Sequence, residues 1–407
     1  MIENILLTAC RSPFLDNDRI YPPLGILYLH QAIKENYPDL KVWVTDEPSP
    51  RHLITADLVG ISIMTPQREE AKRLLKEAQH YNYNSIKIAG GPHVKNYIKS
   101  MMGEDWNYLI PNDGIRAINK IIENPQHSKL VINDFIKPKE YQKLWRKPNR
   151  LDNKDFLNKF NYKLNNINST TMLTSQGCSE HCTFCEEAIS PIRWTPLDIV
   201  KEELNDIVSL GYKGVYIFDD IFALSEKYTQ PITAELYKLG LIYRCNGQAR
   251  RFNKDFAKLL GSTGCVEIAF GAESGSQKIL DTVRKKCTVA QNYNFVKLSK
   301  KEGMKVKAFL MIGLPGETRE TIKETEAFIK NSGIDDFQLA IYYPYKGTQI
   351  REEMDNNKDI DLFFLGEGLG AYGQKNNQSE AVIRTNQLSQ EDLINERDRL
   401  ITQYKIK

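Results

Sequence analysis

Short apolar runs alternate with amphipathic stretches over the first 125 residues of the chain. The apolar runs predict strands at Asn4–Ala9, Lys41–Thr45, Asp57–Met64, Ser85–Ala89 and Asn107–Ile110. The amphipathic stretches predict helices at Leu24–Ile33, at Pro66–Tyr81 and from Gly114. Strands this apolar, separated by helices, indicate a parallel sheet covered on both faces. We therefore predict a doubly wound, Rossmann-like α/β domain over residues 1–125, with its last strand at an edge.

A second alternation of strands and helices begins at Thr170. Its apolar runs predict strands at Thr170–Ser175, Gly214–Phe218, Leu241–Asn246, Val266–Phe270, Lys305–Ile312 and Asp336–Ile341. Six β/α units in succession predict a partial (β/α)6 barrel of the TIM type over residues 169–350, with an open side because a closed barrel has eight units. In such folds the chemistry lies at the carboxyl ends of the strands.

Two segments lack this alternation. Residues 126–168 are rich in Lys, Asn and Asp, contain Pro138 and Pro148, and predict a linker. Residues 351–407 predict a short C-terminal helical extension, with a charged helix from about Gln390. The Gly-rich stretch 364–374 within it predicts a flexible lid or hinge, since no apolar strand leads into it as in a phosphate loop.

Composition narrows the class of protein. The 407 residues carry a net charge of +3, which is too small to indicate binding to nucleic acid. No apolar run is long enough for a membrane span, and the N-terminal segment lacks the basic region of a signal peptide, so we expect a cytoplasmic protein. Four isolated cysteines are expected to be small buried hydrophobic residues: Cys10, Cys245, Cys265 and Cys287.

The other three cysteines, Cys178, Cys182 and Cys185, lie within eight residues, directly after the first barrel strand. Thiolates this close repel one another unless a metal neutralises them. A structural zinc site takes four ligands, usually from two paired knuckles, and the sequence contains no second knuckle. A [4Fe–4S] cluster that only carries electrons takes four cysteines, so three leave one iron open. We expect such a cluster with a non-protein fourth ligand, and keep zinc as the alternative.

With Phe184 before the last cysteine, this CxxxCxxC spacing closely resembles the radical S-adenosylmethionine (SAM) superfamily. The resemblance implies that the amino and carboxylate groups of SAM chelate the open iron. It also implies that an electron from the cluster breaks the sulfonium C–S bond and yields a 5′-deoxyadenosyl radical. The protein then fixes distances and excludes water. Cys178, Cys182 and Cys185 are accordingly the expected metal ligands and catalytic residues.

Further strand ends of the barrel carry strings that resemble motifs of the same superfamily. The string at 217–222 resembles the FxDDxF motif, which implies that Asp219 and Asp220 hold the methionyl ammonium. Arg250 occupies a place where relatives often have an arginine near the SAM carboxylate. Considered without the resemblance, the two aspartates are also typical of a solvated helix start, and Arg250 of a protein surface.

Two more strings follow the next strand ends. GAESGS at 271–276 resembles the ribose-side motif, which implies contacts from Glu273 and Ser274. GLPGET at 313–318 resembles the segment near adenine, which implies contacts from Gly313 and Pro315, and Thr318 there also suits a helix N-cap. The segment 342–348 resembles the closing P-x-x-GT string, whose tyrosines are expected either to line a pocket or to belong to the core.

The N-terminal domain resembles the cobalamin-binding domain found in one large class of these enzymes. The resemblance rests on YPPLG at 21–25, on Ser62 and Met64 as an SxL-like pair, and on the loop formed by Gly90, Gly91, Pro92 and His93. Small residues at strand ends leave room for a flat ring and its nucleotide tail. No Asp-x-His-x-x-Gly string follows the first strand, so no lower axial histidine is expected, and His93 is expected to pack near the corrin.

The resemblance implies a cobalamin-dependent radical methyltransferase. The expected reaction is methyl transfer to an unactivated carbon of a small-molecule or peptide substrate, with an external low-potential electron donor. A radical SAM enzyme that performs ring formation, oxidation or rearrangement, with or without cobalamin, is the alternative. A third hypothesis is that the chain is a non-enzymatic electron carrier or zinc-binding scaffold. The open iron further implies sensitivity to oxygen.

Overall fold

The computed structural model describes residues 2–12, 17–356, 359–366, 368, 374–375 and 378–405. The chain divides into two compact units. Unit 1 comprises Met1–Tyr162 and Asp198–Gly211, and unit 2 comprises Lys163–Leu197 and Tyr212–Lys407. Among the described residues, no helix combines the length and the apolar character that crossing a bilayer requires.

Unit 1 is built on a six-stranded parallel sheet in the order β2-β1-β3-β4-β5-β6. Its strands are β1 Asn4–Ala9, β2 Lys41–Thr45, β3 Leu58–Ser62, β4 Ile86–Gly90, β5 Tyr108–Ile110 and β6 Leu130–Val131. Its helices are α1 Leu24–Asn36, α2 Pro50–Thr55, α3 Arg68–Tyr81, α4 Pro92–Met101, α5 Gly114–Glu123, α6 Pro138–Leu144, α7 Lys154–Leu157 and most of α8, Leu197–Ser209. This architecture confirms the predicted doubly wound α/β fold.

The apolar runs that predicted the strands form the core of unit 1. Leu6, Val59 and Leu109 on β1, β3 and β5 are essentially inaccessible, and Leu74 of α3 packs in the same cluster. Helix α3 buries only its apolar stripe of Ala and Leu, while its charged residues face solvent. Because both faces of the sheet are covered, the strands read as continuous apolar runs rather than alternating ones.

The predicted edge position of the fifth strand is wrong. Strand β6, from the segment expected to be a linker, pairs with β5 in parallel and becomes the edge strand. The same segment packs into unit 1 up to Tyr162, and Tyr141 and Trp145 are buried there with stacked rings. Sparse apolar residues in a Lys-rich stretch gave no periodic signal for this packing. The boundary between the units therefore differs from the one that composition predicted.

Unit 2 contains a seven-stranded sheet in the order β15-β14-β13-β12-β11-β8-β7. Its strands are β7 Lys163–Leu164, β8 Ile167–Met172, β11 Gly214–Ile217, β12 Ile242–Gly247, β13 Cys265–Glu273, β14 Lys305–Ile312 and β15 Asp336–Ile341. Six of them, from β8 to β15, pair in parallel, and β7 forms an antiparallel hairpin with β8. The predicted partial (β/α)6 barrel is confirmed.

The remaining elements of unit 2 connect or extend the barrel. The helices are α9 Glu226–Lys238, α10 Lys254–Ser262, α11 Gln277–Thr282, α12 Val289–Lys301, α13 Arg319–Asn331, α14 Gln349–Asp355 and α15 Gln390–Tyr404. The short strands are β9 Ser175–Gln176, β10 Arg193–Trp194, β16 Phe363–Phe364, β17 Gln374–Lys375, β18 Gln378–Ser379 and β19 Ile383–Arg384. Helix α15 matches the predicted C-terminal helix. Most of the Gly-rich stretch predicted as a hinge lies outside the described residues.

Alternation along the barrel strands separates a helix-facing layer from a cavity-facing layer. On β14, Val306, Ala308 and Leu310 are buried, whereas Phe309 and Met311 are partly accessible. Successive side chains of a strand point to opposite faces. Because all six strands run in parallel, their carboxyl ends meet at one rim, and the loops that follow them form the candidate site.

Candidate active site

A cavity of about 530 Å³ opens at the carboxyl ends of the barrel strands of unit 2. All three clustered cysteines line it, together with Phe184 and residues from the ends of five strands. Those further lining residues include Phe218, Asp219, Asp220, Asn246, Phe270, Glu273, Phe309, Met311, Gln338, Tyr342, Tyr343 and Tyr345. The loop after β8 and the loops after the later strands thus enclose one space. This space is large enough for a small organic ligand.

The cysteine loop is framed by a short antiparallel pair, β9 with β10, in which Ser175 is opposite Trp194. Gly177 opens the loop with φ +94°, and a Cβ there would lie 2.3 Å from the carbonyl oxygen of Pro191. Only glycine fits such a close approach at positive φ. Within the loop, the Cys178 N–H donates to Ser190 Oγ at 2.8 Å. The start of the cysteine loop is therefore held against the segment 190–191 that follows it.

The three thiols lie in a poorly solvated environment. Burial raises the pKa of Cys182 and of Cys185 to about 12, and it also raises the pKa of Cys178. Thiols with such pKa values are neutral unless a metal ionises them. Among the described residues, no group of three His, Cys, Asp or Glu side chains is placed to share one metal ion. A cube of four irons spreads its thiolates over a wider space than a single ion does, so the cysteine loop suits a cluster better than zinc.

Asp219 is fully buried, and its carboxylate is engaged within the protein. It accepts from the N–H of Thr174 at 2.6 Å, from Thr174 Oγ1 at 2.6 Å and from Ser175 Oγ at 2.7 Å. Burial raises its pKa to about 6, although these hydrogen bonds lower it. Asp219 thus fastens the end of β11 to the residues that lead into the cysteine loop.

Asp220 has a different environment, although it is the next residue. Its side chain is exposed, and Oδ2 accepts from the N–H of Gly177 at 2.9 Å. It lies on the cavity wall, beside the first residue of the cysteine loop. Of the two aspartates in the predicted pair, Asp220 is the one whose carboxylate reaches solvent in the cavity. The two aspartates therefore have different environments, although the sequence analysis gave both the same role.

Glu273 and Lys285 form an ion pair on the opposite wall, with Lys285 Nζ 3.0 Å from Glu273 Oε1. Glu273 ends β13 at a register shift and has φ 60°, an uncommon value for a residue with a side chain. Burial by itself would lower the pKa of Lys285, but the negative groups around it, of which Glu273 has the largest effect, together raise that pKa. Lys285 lies in the Lys- and Arg-rich run 284–286, where no sequence signal singled it out.

Four other predicted SAM contacts are not among the cavity-lining residues. Arg250 forms an ion pair with Glu180 at 2.7 Å, and Glu180 itself does line the cavity. Ser274 is fully buried against Thr325 at 3.1 Å. Gly313 and Pro315 belong to the turn that leads into α13, where Thr318 is the N-cap as expected. The prediction that these four residues contact SAM stays untested by the lining of the cavity.

The residues predicted to hold cobalamin are at the carboxyl ends of neighbouring strands in unit 1. Ser62 ends β3 and Gly90 ends β4, and the two are paired in register. Met64 is 50% exposed, whereas Gly91 packs against the backbone of Ile63.

His93 does not lie in the loop but in helix α4, where it directly follows Pro92, the first residue of the helix. It is buried, its Nδ1 lies 3.4 Å from Thr65 Oγ1, and its ring stacks on Tyr97 at 4.4 Å. This environment suits packing rather than axial ligation.

Comparison with known families and curated proteins gives the following likenesses. The model of the Radical SAM superfamily matches residues 172–329. An uncharacterized methyltransferase of Pyrococcus horikoshii, PH0819, is 28% identical over 358 residues, which are 81% of this chain and 78% of that protein. The anaerobic magnesium-protoporphyrin IX monomethyl ester cyclase of Rubrivivax gelatinosus is 22% identical over 377 residues, 84% of this chain and 67% of that one.

Solved structures with the same fold cover both units. The radical SAM methyltransferase TsrM of Kitasatospora setae, with cobalamin and a [4Fe–4S] cluster bound, superposes with a TM-score of 0.71 at 17% identity, covering 90% of this chain and 82% of that one. The cobalamin-dependent radical enzyme OxsB, with aqua-cobalamin and SAM bound, gives a TM-score of 0.66 at 17% identity, over 81% of this chain and 52% of that one. At these identities the likeness establishes the fold.

Proposed function

We propose that this chain, which carries a radical SAM domain over residues 172–329, is a cobalamin-dependent methyltransferase. Its acceptor is an unactivated carbon of a small-molecule or peptide substrate. The enzyme takes electrons from an external low-potential donor and acts in the cytoplasm. The observation that carries the proposal is the convergence of Cys178, Cys182 and Cys185 on one cavity at the carboxyl rim of a parallel barrel.

The residues of the cavity fit a [4Fe–4S] cluster with SAM. When bound, the cluster supplies one electron to the sulfonium of SAM, which cleaves into methionine and a 5′-deoxyadenosyl radical. Asp220 offers an exposed carboxylate beside the cysteine loop, which suits the methionyl ammonium. Glu273 offers carboxylate oxygens on the opposite wall, which suit the ribose hydroxyls. Phe218, Tyr343 and Tyr345 give apolar surface that excludes water from the reactive radical.

Cobalamin is supported by the topology of unit 1. The strand order β2-β1-β3-β4-β5 is the flavodoxin-like order, and ligands of such sheets bind at the carboxyl edge where the order reverses, between β1 and β3. Met64 is exposed near that edge, and a Cβ on Gly90 would meet nothing closer than 3.9 Å. The edge is thus open for a ring and its nucleotide tail. The two structural neighbours with cobalamin bound share this fold.

A ring-forming reaction is the second candidate, because one relative that covers most of the chain is named a cyclase. The two candidates differ in the fate of SAM. A cobalamin-dependent methyl transfer consumes one SAM as methyl donor and leaves S-adenosylhomocysteine. Ring closure through the deoxyadenosyl radical leaves 5′-deoxyadenosine alone. We therefore expect the reduced, reconstituted protein to form S-adenosylhomocysteine only when cobalamin is supplied. Formation of deoxyadenosine without any S-adenosylhomocysteine would instead favour the cyclase.

Anaerobic reconstitution with iron and sulfide tests the cluster. We expect broad visible absorption, three to four irons per chain, and deoxyadenosine on addition of SAM and a strong reductant. Cys182→Ala should abolish deoxyadenosine formation. Cys265→Ala, which removes another buried thiol from β13, should not. Full turnover by the Cys182 variant, or stoichiometric zinc bound in place of iron, would refute the cluster assignment.

Hydroxocobalamin binding, followed by its visible bands, tests unit 1. Gly90→Val places a branched side chain at the open end of β4, where the backbone tolerates it, and should weaken binding at least tenfold. Gly103→Ala, at an exposed position just after α4 where the added Cβ would lie 3.4 Å from the carbonyl oxygen of Ser100, serves as the matched control. If wild-type protein and both variants bind cobalamin equally, the assigned edge is not the binding site. If none binds, cobalamin is not a cofactor of this chain.

A further inference from the structure

The wall of the cavity in unit 2 is strongly acidic apart from one side chain. Among the described lining residues, six are acidic, namely Glu180, Glu186, Glu187, Asp219, Asp220 and Glu273, and Lys285 is the basic one. The side chain of Lys285 is only 16% exposed, so its ammonium is held in poorly solvated surroundings. A single buried cation at an otherwise anionic site has a large electrostatic effect because water screens it little.

The backbone aims this ammonium into the cavity. Arg284, just before Lys285, has φ 53°, and Glu273, its partner, has φ 60°. Left-handed conformations at residues with side chains are strained and persist only where the surrounding structure imposes them. Gly271 supplies the room, since a Cβ there would lie 2.1 Å from Glu273 Oε1 and 3.0 Å from Lys285 Nζ. The backbone conformations of Arg284 and Glu273 and the missing side chain at Gly271 thus all accommodate this ion pair.

The segment before Lys285 is also fastened to the cysteine loop. The N–H of Thr183, the residue after Cys182, donates to the carbonyl of Val283 at 3.0 Å, and Thr183 Oγ1 donates to the same oxygen at 3.3 Å. Lys285 and Cys182 both line the cavity. The ammonium is therefore held at a fixed place relative to the cysteine loop.

Building on the proposed function, we propose that Lys285 is a positioning residue that raises the reduction potential of the cluster held by Cys178, Cys182 and Cys185. One-electron reduction adds one negative charge to the cluster and changes nothing else in its composition. A fixed positive charge nearby stabilises the reduced form more than the oxidised form, so reduction becomes easier. Glu273 orients the ammonium and moderates its effect. Lys285 thereby helps an external donor to load the electron that SAM cleavage consumes.

The test is a redox titration of the reconstituted cluster, followed by electron paramagnetic resonance and carried out without SAM. Lys285→Gln keeps a hydrogen-bond donor to Glu273 but removes the charge, and should make the midpoint potential more negative. Lys285→Arg should stay near the wild-type value. Lys286→Gln, the exposed neighbour that does not line the cavity, should also match wild type. Equal iron content, measured in each sample, ensures that potentials rather than cluster loss are compared.

Glu273→Gln provides an independent test of the direction in which the midpoint potential shifts. It removes the negative partner and should move the potential in the opposite direction, towards less negative values, so it decides the question even if Lys285→Gln takes up no iron. Coincident potentials for wild type and the informative variant, or a shift of the wrong sign, would overturn the role of Lys285 while the cluster itself stands. Wild-type protein that binds no cluster at all would instead overturn the proposed function.

Discussion

Replacing Asp219 with alanine tests whether its carboxylate stabilises the fold of unit 2 or binds a ligand. The substitution removes the acceptor of three buried hydrogen bonds and leaves the N–H of Thr174 and the hydroxyls of Thr174 and Ser175 without it. These residues lie between β8 and the cysteine loop. We therefore expect unit 2 to lose stability, and the loop to lose its fixed start. Affinity for SAM should change only as a consequence.

The magnitude follows from two opposing contributions. Three hydrogen bonds to a buried carboxylate contribute about 1.5–3 kcal/mol each, so their loss costs roughly 5–9 kcal/mol before relaxation. Burial raises the pKa of Asp219 to about 6, about two units above its usual 3.8. At about 1.4 kcal/mol per unit, alanine relieves roughly 3 kcal/mol of charge burial at neutral pH. The expected net loss is therefore about 2–6 kcal/mol at pH 8.

The pH dependence has a definite sign. Because the folded pKa of Asp219 is raised, its contribution to stability is greatest below pH 4 and declines as pH rises through about 6. The cost of Asp219→Ala should accordingly be larger at pH 5 than at pH 8. Asp219→Asn keeps the shape and one acceptor without the charge, and should cost less than alanine at pH 8.

Hydrogen exchange of the metal-free protein in increasing urea, read by mass spectrometry, measures this loss in unit 2 separately from unit 1. Peptides from β8 and β11 should lose protection in the variant, whereas peptides from β1 and β3 should not. Asp220→Asn is the matched control, because this carboxylate is exposed and accepts from the N–H of Gly177. Unchanged protection of unit 2 together with a raised KM for SAM would show that Asp219 is a ligand residue and that this reasoning fails.

Three further substitutions test other parts of the fold. Gly177→Ala brings a Cβ within 2.3 Å of the Pro191 carbonyl at φ +94°, and should lower iron uptake severalfold in a colorimetric iron assay. Arg150→Met breaks a fully buried pair with Glu203 at 2.6 Å and should cost about 3–5 kcal/mol in urea unfolding of unit 1. Burial raises the pKa of Glu317 to about 7, so the stabilising effect of this carboxyl fades as pH rises through that value. Wild-type protein should therefore become less stable between pH 4.5 and 7, and Glu317→Gln should not show this decrease.

Each of these has an internal control. Gly211→Ala also places alanine at positive φ, but in open space, and should leave iron uptake intact. Combining Arg150→Met with Glu203→Leu should recover much of the lost stability, since two apolar side chains replace an uncompensated charge. The exposed Glu391→Gln should leave the pH profile as it is in wild type. If a control variant behaves like its test variant, the structural reason given for that test variant is wrong.

The sequence predicted those features that depend on local pattern. Apolar runs at regular intervals predicted the strands of both sheets, because a strand buried on both faces must be apolar throughout. The cysteine spacing predicted a loop that brings three thiols to one place, and all three line the cavity. Strand ends predicted the rim, since parallel strands bring their carboxyl ends together. All these inferences need only the order of residues along the chain.

Features that depend on contacts between distant residues were not predictable in this way. Strand β6 pairs through only two residues, Leu130 and Val131, too few to give a period. Lys285 is one of three consecutive basic residues, and it is the one of the three that lines the cavity. Arg250 was assigned to SAM, whereas its partner is Glu180, 70 residues away in sequence. Sequence reasoning found the cavity but not the pairing of charges on its wall.

The division of roles between Asp219 and Asp220 follows from the geometry of a strand end. Both aspartates follow the end of β11 and border the cavity, but their carboxylates have different partners. Asp219 accepts from Thr174 at the end of the neighbouring strand, and Asp220 is exposed and accepts from the N–H of Gly177. The same pair therefore joins the strand to the cysteine loop and presents one solvent-accessible carboxylate to the cavity. A doubled acidic residue at this position is explained by both needs together, since a single aspartate meets only one of them.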